Sequence, residues 1–400
     1  MTVSRCHARV PIAFGRPSPV DAVVLARRPE LPLLCLRPAV ATAEAARFVA
    51  AFPGEVLYAV KCNPDEAVLR ALAVGGITHF DVASINEVRL VHRLFPAARL
   101  HFMHPVKARS AIREAYFDHG VRDFVLDGEA ELAKIVAETA AARDLRLIVR
   151  LGLAKGGARL DLSGKFGAGV EAAGELLRSS AKCAATVGLT FHVGSQCCDP
   201  SAWERALDQA GAVVRAAAVG LDVLDVGGGF PVPYPDVRPP PLDAFLGAIA
   251  RGVSRMDLPG GCALWCEPGR ALVAGCQSLV VQVQARRGDT LYVNDGVYGT
   301  LSDAGVLGFR YPCRLIKATG QGVGRMRPFD LYGPTCDTLD HMQGPFVLPD
   351  DVAEGDWIEI GQIGAYGSCL GTGFNGFGEV IRVELAKAAG GNSASGRKAA

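Results

Sequence analysis

The sequence contains no uncharged apolar run long enough to cross a bilayer, so no membrane-spanning helix is expected. It also lacks a charge bias. Its 42 Lys and Arg against 41 Asp and Glu leave a formal net charge of +1, which argues against nucleic acid or an anionic membrane as the main partner. None of its 12 cysteines forms a Cys-x-x-Cys pair. Cys262 and Cys266 flank a strand-like run with no histidine nearby, and Cys197 and Cys198 are adjacent, so no metal site is expected. His101 and His104 have a possible ligand spacing, but their strand-like setting reads better as two partly buried histidines. Met1 to Pro19 carries Arg5, Arg9 and Arg16 without a continuous apolar core, unlike a secretory signal. The thiols are therefore expected to be reduced and the protein cytoplasmic.

What remains is an ordinary globular composition, 50% hydrophobic and 21% charged, over 400 residues. That length allows two or three domains and a large core, with a small-molecule site as the default. Residues 1 to 30 are rich in Arg and Pro and read as an extended lead-in, followed by a strand at Leu31 to Leu36. Short apolar strands then alternate with Ala- and Leu-rich helices. Strands are expected at Val56 to Val60, Ile77 to Val82, Leu100 to Met103, Asp123 to Leu126, Arg146 to Leu151, Thr190 to Val193, Val223 to Val226 and Ala263 to Glu267. Helices between them include Asp65 to Ala73, Ser84 to Leu94, Glu129 to Arg143, Pro200 to Ala218 and Leu242 to Met256. Fully apolar strands separated by helices imply a parallel sheet covered on its outer face, and seven or eight such units favour a closed (β/α)8 TIM-like barrel. Near Ala271 the pattern changes to strands separated by Gly, Pro and Asp turns, an antiparallel β-domain. The expected organisation is a lead-in and a strand joining the β-domain over 1–38, a barrel over 39–271, a discontinuous β-domain completed by 272–387, and a disordered tail over 388–400.

In such a barrel chemistry sits at the C-terminal rim of the strands. The run from Val56 ends in Lys61, where Asn63-Pro64 starts a turn. A lone strand-end lysine usually solvates an edge; the motifs that follow change that reading. Asp81 ends the next strand, with Glu87 one helical turn later, and Arg150 ends another. Then come His192 to Ser195, Asp225 followed by Gly227, Gly228 and Gly229, and Glu267 to Arg270. Backbone amides without Cβ can close around an anion, and Ser195, Arg270 and Tyr366 can add to them. A lysine, an imidazole, a carboxylate and a phosphate cradle on one rim match the needs of pyridoxal 5'-phosphate. Lys61 would hold the aldehyde as a Schiff base, His192 would stack on the ring, and Glu267 would keep the ring nitrogen protonated. A protonated ring accepts the electrons of a breaking Cα bond, so Glu267 favours decarboxylation over racemisation.

From about Leu31 to Ala386 the chain resembles the group IV, fold-type III, pyridoxal-phosphate-dependent amino-acid decarboxylases with the alanine-racemase-like fold, which include ornithine decarboxylase. The resemblance rests on Tyr-Ala-Val-Lys-Cys-Asn at 58–63, His-Val-Gly-Ser at 192–195, Gly-Gly-Gly-Phe-Pro at 227–231, Glu-Pro-Gly-Arg at 267–270, Gly-Pro-Thr-Cys-Asp at 333–337 and Gly-Ala-Tyr at 364–366. It implies Lys61 as the Schiff-base lysine amid Asp81, Glu87 and Arg150, His192 as the stacking residue, and Glu267 as the ring-nitrogen partner. Ser195, Gly228, Gly229, Arg270 and Tyr366 would be phosphate ligands. It further implies a homodimer with shared sites, in which Cys336 reprotonates the carbanion and Asp337 binds the substrate's distal amine. Taken without the resemblance, a buried inert thiol is the commoner reading of Cys336, while Asp337 could cap a turn and Tyr366 could be core. The segment from Lys155 to Gly167 reads as a mobile lid or a long loop.

One stretch departs from the family. Ornithine decarboxylases usually follow Asn-Asp-Gly-Val-Tyr-Gly, here 294–299, with a Tyr-Asp-His turn; this chain has Leu301 to Tyr311 instead, including Asp303. The expected activity is decarboxylation of L-ornithine to putrescine in polyamine biosynthesis. L-lysine, L-arginine or diaminopimelate are alternative substrates, and a non-catalytic regulatory homologue or a racemase are more remote readings.

Overall fold

The computed structural model describes residues 18–154, 158–160, 164–256, 258–320 and 322–385. The expected disordered tail, the first 17 residues, and residues 155–157 and 161–163 of the expected lid lie outside the described residues. Strand β1 (Leu33–Leu36) precedes eight parallel strands: β2 (Glu55–Ala59), β3 (His79–Val82), β4 (Arg99–Phe102), β5 (Asp123–Leu126), β6 (Arg146–Arg150), β7 (Thr186–Thr190), β8 (Val223–Asp225) and β9 (Ala263–Cys266). They close into a barrel, β9 meeting β2 through Trp265 opposite Glu55 and Cys266 opposite Val56. β3 and β5 are buried along their whole length, as expected for parallel strands covered on both faces, and their polar residues His79, Asp81 and Asp123 are buried with them.

Two of the helices between strands begin at a side-chain cap. Asp65 accepts a bond from Ala67 N at 2.9 Å to start Glu66–Val74, and Ser84 accepts from Glu87 N at 3.3 Å to start Ile85–Leu94. Two helices that the periodicity did not suggest, Arg109–Phe117 and Val170–Ala181, complete the outer ring. The helix expected to reach Arg143 ends at Glu138, after which Ala140 and Ala141 turn the chain at positive φ.

Other differences have local causes. β7 lies four residues earlier than Thr190 to Val193 because its ladder to β8 ends at Thr190 opposite Asp225. Gly188 inside the strand hides it from a propensity reading, while Phe191 and Val193 attract one. The lead-in expected to be extended contains a helix, Pro19–Arg27, started by a reciprocal cap in which Ser18 Oγ accepts from Asp21 N and Asp21 accepts from Ser18 N.

The second domain contains β10 (Gln277–Arg287), β11 (Thr290–Val293), β12 (Cys313–Ile316), β13 (Met326–Tyr332), β14 (His341–Pro349), β15 (Trp357–Ile360) and β16 (Ile381–Glu384). The order is β12-β15-β10-β11-β13-β14, and β1 pairs with β10 and with β16. Pairing is antiparallel except at β1–β16 and β11–β13. The α/β class, a TIM-like barrel plus a β-domain, is thus the fold observed.

At the barrel's N-terminal end a polar chain crosses five strands. His79 Nε2 lies 3.1 Å from Glu55 Oε2, His79 Nδ1 is 3.0 Å from His101 Nε2, and His101 Nδ1 is 2.7 Å from Asp123 Oδ2. Arg146 Nη1 closes the chain 3.0 Å from Asp123 Oδ1, with its guanidinium over Trp265. His104 takes no part; its Nδ1 accepts from Val106 N.

The seam between domains runs past the rim. Asn63 Nδ2 donates to Gln277 Oε1 at 3.0 Å and to Gly364 O at 2.8 Å, and Tyr366 N donates to Cys62 O at 2.9 Å. A Cβ on Gly364 would collide with Val273 O. Gly364→Ala is therefore expected to destabilise the protein by about 1–3 kcal/mol in chemical denaturation, the usual cost of overpacking.

Candidate active site

β2 stops at Ala59, and one 3-10 turn, Val60–Cys62, lifts Lys61 onto the C-terminal rim. Its Nζ donates to Asp81 Oδ2 at 2.7 Å; Asp81 is buried at the end of β3, whereas the lysine side chain is 43% exposed. Burial opposes charge on Lys61, but the Asp81 carboxylate prevails and holds its ammonium above the ordinary lysine range. Beyond Asp81, Ala83 N donates to Glu87 Oε2 at 2.6 Å, and burial pushes Glu87 up to about 7.

The segment after β7 presents His192. Its Nδ1 accepts from Gly194 N at 2.9 Å, which assigns the ring proton to Nε2. Burial, then the charges of Arg150 and Lys61, lower its pKa to about 3, so the imidazole is neutral at physiological pH. Ser195 is fixed by a two-way backbone bridge to Leu160. After β8 the triple glycine makes a loop that side chains would block. Gly227 and Gly229 have φ of +66° and +104°, and a Cβ on Gly228 would lie 2.5 Å from Glu267 O. Phe230 anchors the loop in the core against Phe48 and Trp203, at ring distances of 5.1 and 5.0 Å.

β9 delivers Glu267 and Arg270. Glu267 is buried beside Asp225, which accepts from Thr190 Oγ1 at 3.0 Å and from Gly227 N at 2.9 Å. Burial, then Asp225 and Asp81, push Glu267 well above the usual carboxylate range, and burial raises Asp225 as well, so the pair retains a proton. Arg270 Nη1 donates to Tyr234 Oη at 2.9 Å and Nη2 to Asp303 Oδ2 at 2.8 Å. Its guanidinium carbon sits 4.5 Å from the ring centroid of Phe309 and 5.0 Å from that of Tyr366. Its Nε is buried with no partner among the described residues. Tyr366 itself holds a φ of 54°, a strained setting for a bulky residue.

These elements surround a small polar cavity lined by Lys61, His192, Ser195, Gly229, Glu267, Arg270 and Tyr366. Gly228 backs its glycine wall between His192 and the Glu267 carbonyl, and Asp81 lies behind Lys61. Glu87 and Arg150 stand outside the lining. Cys336 and Asp337 are not brought to the cavity by this chain's own fold. Cys336 follows β13 and is exposed rather than buried, its N donating to Asn375 Oδ1 at 3.1 Å. Asp337 accepts from Tyr298 Oη and from Leu339 N. The sequence reading gave no role to Thr190, Asp225, Tyr234 or Asp303. Only Asp225 had a visible signal, its place directly before the glycines. Among the described residues no group of three or more His, Cys, Asp or Glu is placed to hold a metal, and no helix is long and apolar enough to cross a membrane.

The cavity fits a phosphorylated pyridine aldehyde: an amine on one wall, a neutral imidazole, a carboxyl that retains a proton, and an amide cradle beside an arginine with an unmet donor. Residues 40–274 match the family model described as pyridoxal-dependent decarboxylase, pyridoxal binding domain. The chain belongs to this family. Its cofactor is pyridoxal 5'-phosphate, and its reaction class is amino-acid decarboxylation. It is 34% identical over 331 residues to the lysine/ornithine decarboxylase of Selenomonas ruminantium, covering 80% of this chain and 81% of that one. It is 32% identical over 356 residues to antizyme inhibitor 2 of Xenopus laevis, covering 83% and 76%. Among solved structures, the arginine decarboxylase of Paramecium bursaria Chlorella virus superposes with a TM-score of 0.80 at 26% identity, covering 92% of this chain and 99% of that one.

Lys61→Ala should abolish the visible absorbance band of the bound cofactor while leaving phosphate-dependent binding; a retained band would remove the lysine from this role. Glu87 gives a pH signature in the apoprotein. Its folded pKa of about 7 exceeds the ordinary 4.5, so the folded state binds the proton more tightly. Its contribution is fully present below 4.5 and is lost as pH rises through 7. Glu87→Gln should flatten that part of the stability profile, measured by urea unfolding across the range.

Proposed function

We propose that this decarboxylase acts on a basic L-amino acid, with L-ornithine, giving putrescine, as the preferred substrate. The observation that carries the reading is the placing of the Lys61 amine and the proton-holding Glu267 on one cavity with a phosphate cradle. Bound pyridoxal phosphate supplies an aldehyde for the substrate amine and a ring that takes up the electron pair left by departing carbon dioxide. The chain's residues do the rest. Lys61 Nζ offers the amine that meets the aldehyde, and Asp81 holds that nitrogen in place. The Glu267 carboxyl, steadied by Asp225, keeps a proton available for the ring nitrogen. His192 adds no charge against the ring because burial keeps it neutral. Ser195, Gly228, Gly229, Arg270 and Tyr366 hold the phosphate.

Cys336 and Asp337 would enter from a second copy of the chain, so that an isolated subunit is inactive. Two features support this: the exposed Cys336 thiol and the Asp337 carboxylate, kept ionised by donors from Leu339 N and Tyr298 Oη. The thiol would return a proton to Cα, and the carboxylate would bind a distal ammonium. Its charge favours ornithine, lysine or arginine over diaminopimelate, whose distal ammonium is accompanied by a carboxylate. The retained Lys61, Glu267 and Cys336 argue for catalysis over a purely regulatory role, since binding alone requires none of them.

The test is release of carbon dioxide by purified protein with added cofactor, with L-ornithine, L-lysine, L-arginine and meso-diaminopimelate compared side by side. Ornithine should be turned over fastest. Asp337→Asn should raise KM for it roughly 10- to 100-fold, the effect of losing one charged hydrogen bond, with the cofactor absorbance unchanged. Preference for another substrate, or an unmoved KM, would refute the assignment.

A further inference from the structure

The stretch where this chain departs from its family, Leu301 to Tyr311, places a carboxylate on the arginine assigned to the phosphate. Asp303 lies in a one-turn 3-10 helix, Ser302–Ala304, that reaches from the β-domain onto the rim of β9. Phe309 N donates to the Asp303 carbonyl at 2.9 Å and closes the turn. The Asp303 side chain is 5% exposed and that of Arg270 is 4%, so their 2.8 Å ion pair is shielded from water. The surroundings are built around it. Phe309 is packed between two guanidinium groups, Arg159 at 4.4 Å and Arg270 at 4.5 Å, and the Tyr234 ring stands edge-on to Phe309 at 5.3 Å. Arg159 in turn is paired with Asp236 and bonded to Gly308 O.

A buried arginine without a partner is strongly destabilising, so an apoprotein with an empty phosphate cradle needs an anion on Arg270. Asp303 is that anion. When a dianionic phosphate occupies the cradle, Asp303 becomes a like charge close by, and the two share one cation. The carboxylate therefore steadies the apoprotein more than the loaded protein. By linkage, such a group must weaken cofactor binding.

We propose that Asp303 is an internal counter-ion that competes with the cofactor phosphate for Arg270 and so sets cofactor affinity, instead of gripping the substrate's distal amine. The inference rests on the reading that Arg270 faces the phosphate. It also leaves a substrate's distal ammonium to a single carboxylate, Asp337.

The test is equilibrium binding of pyridoxal 5'-phosphate and of pyridoxal, which lacks the phosphate, to apoprotein of the natural chain and of Asp303→Asn, without substrate. The asparagine keeps the shape and an acceptor for Arg270 but removes the charge. Expected are a lower apoprotein melting temperature, pyridoxal phosphate bound roughly tenfold more tightly, and unchanged pyridoxal affinity. Unchanged or weaker binding of the phosphorylated form overturns the proposal. So does an increase in KM for the amino acid with cofactor affinity unmoved, which would return Asp303 to the substrate. If Asp303→Asn does not fold, the double variant Arg270→Gln/Asp303→Asn replaces the buried ion pair by a neutral amide pair. It should fold and lose most of the preference for pyridoxal phosphate over pyridoxal; a retained preference overturns the proposal. The cofactor-binding readouts do not depend on which amino acid is decarboxylated, so they fail or succeed separately from the substrate assignment.

Discussion

Three carboxyl groups, Asp81, Asp225 and Glu267, converge with one lysine at the rim of the barrel, and that imbalance governs the site. Lys61 can neutralise one of them, and it is Asp81 that takes the 2.7 Å bond. The other two lie against each other without a cation and must hold a proton between them. The same arrangement thus gives a lysine fixed in place and an acid whose pKa is pushed well above the usual carboxylate range. Neither property belongs to the side chain alone; both follow from strands 3, 8 and 9 bringing three acids to one edge of a closed sheet.

The β-domain takes part in the site as well as covering it. The turn that carries Lys61 is bonded through Asn63 to Gln277 and Gly364, and Tyr366 reaches Cys62 from the same side. Arg270, from the barrel, is met by Asp303, from the β-domain. Movement of one domain against the other would disturb lysine and arginine together, so the seam fixes the distance between Lys61 and Arg270 across the cavity.

Much of this was legible in the chain. The barrel could be read because short, largely buried strands alternate with Ala- and Leu-rich helices, and the β-domain because its strands are separated by turn residues. Six of the rim motifs could be read because each ends an apolar run. What could not be read was partnership across long sequence distances. Asp303 lies 33 residues beyond Arg270 in a turn with no periodic signal. Thr190 meets Asp225 only because neighbouring strands align. The β7 boundary was hidden by a glycine within the strand, and the first helix by a cap of two residues in a Pro-rich stretch. Cys336 and Asp337 follow a different logic, since this chain's own cavity does not contain them.

The polar chain beneath the barrel bears on assembly more than on chemistry. His101, Asp123 and Arg146 are direct lateral neighbours on β4, β5 and β6, and His79 and Glu55 extend the line to β3 and β2. Apolar strands of similar length can slide past one another with little change in buried area. A line of donors and acceptors spanning five of them cannot, because a shift of one residue would turn each group to the opposite face and leave its neighbour buried without a partner. The line works as a vernier: it has one alignment at which all of its marks coincide, and within it Lys61 after β2 meets Asp81 at the end of β3.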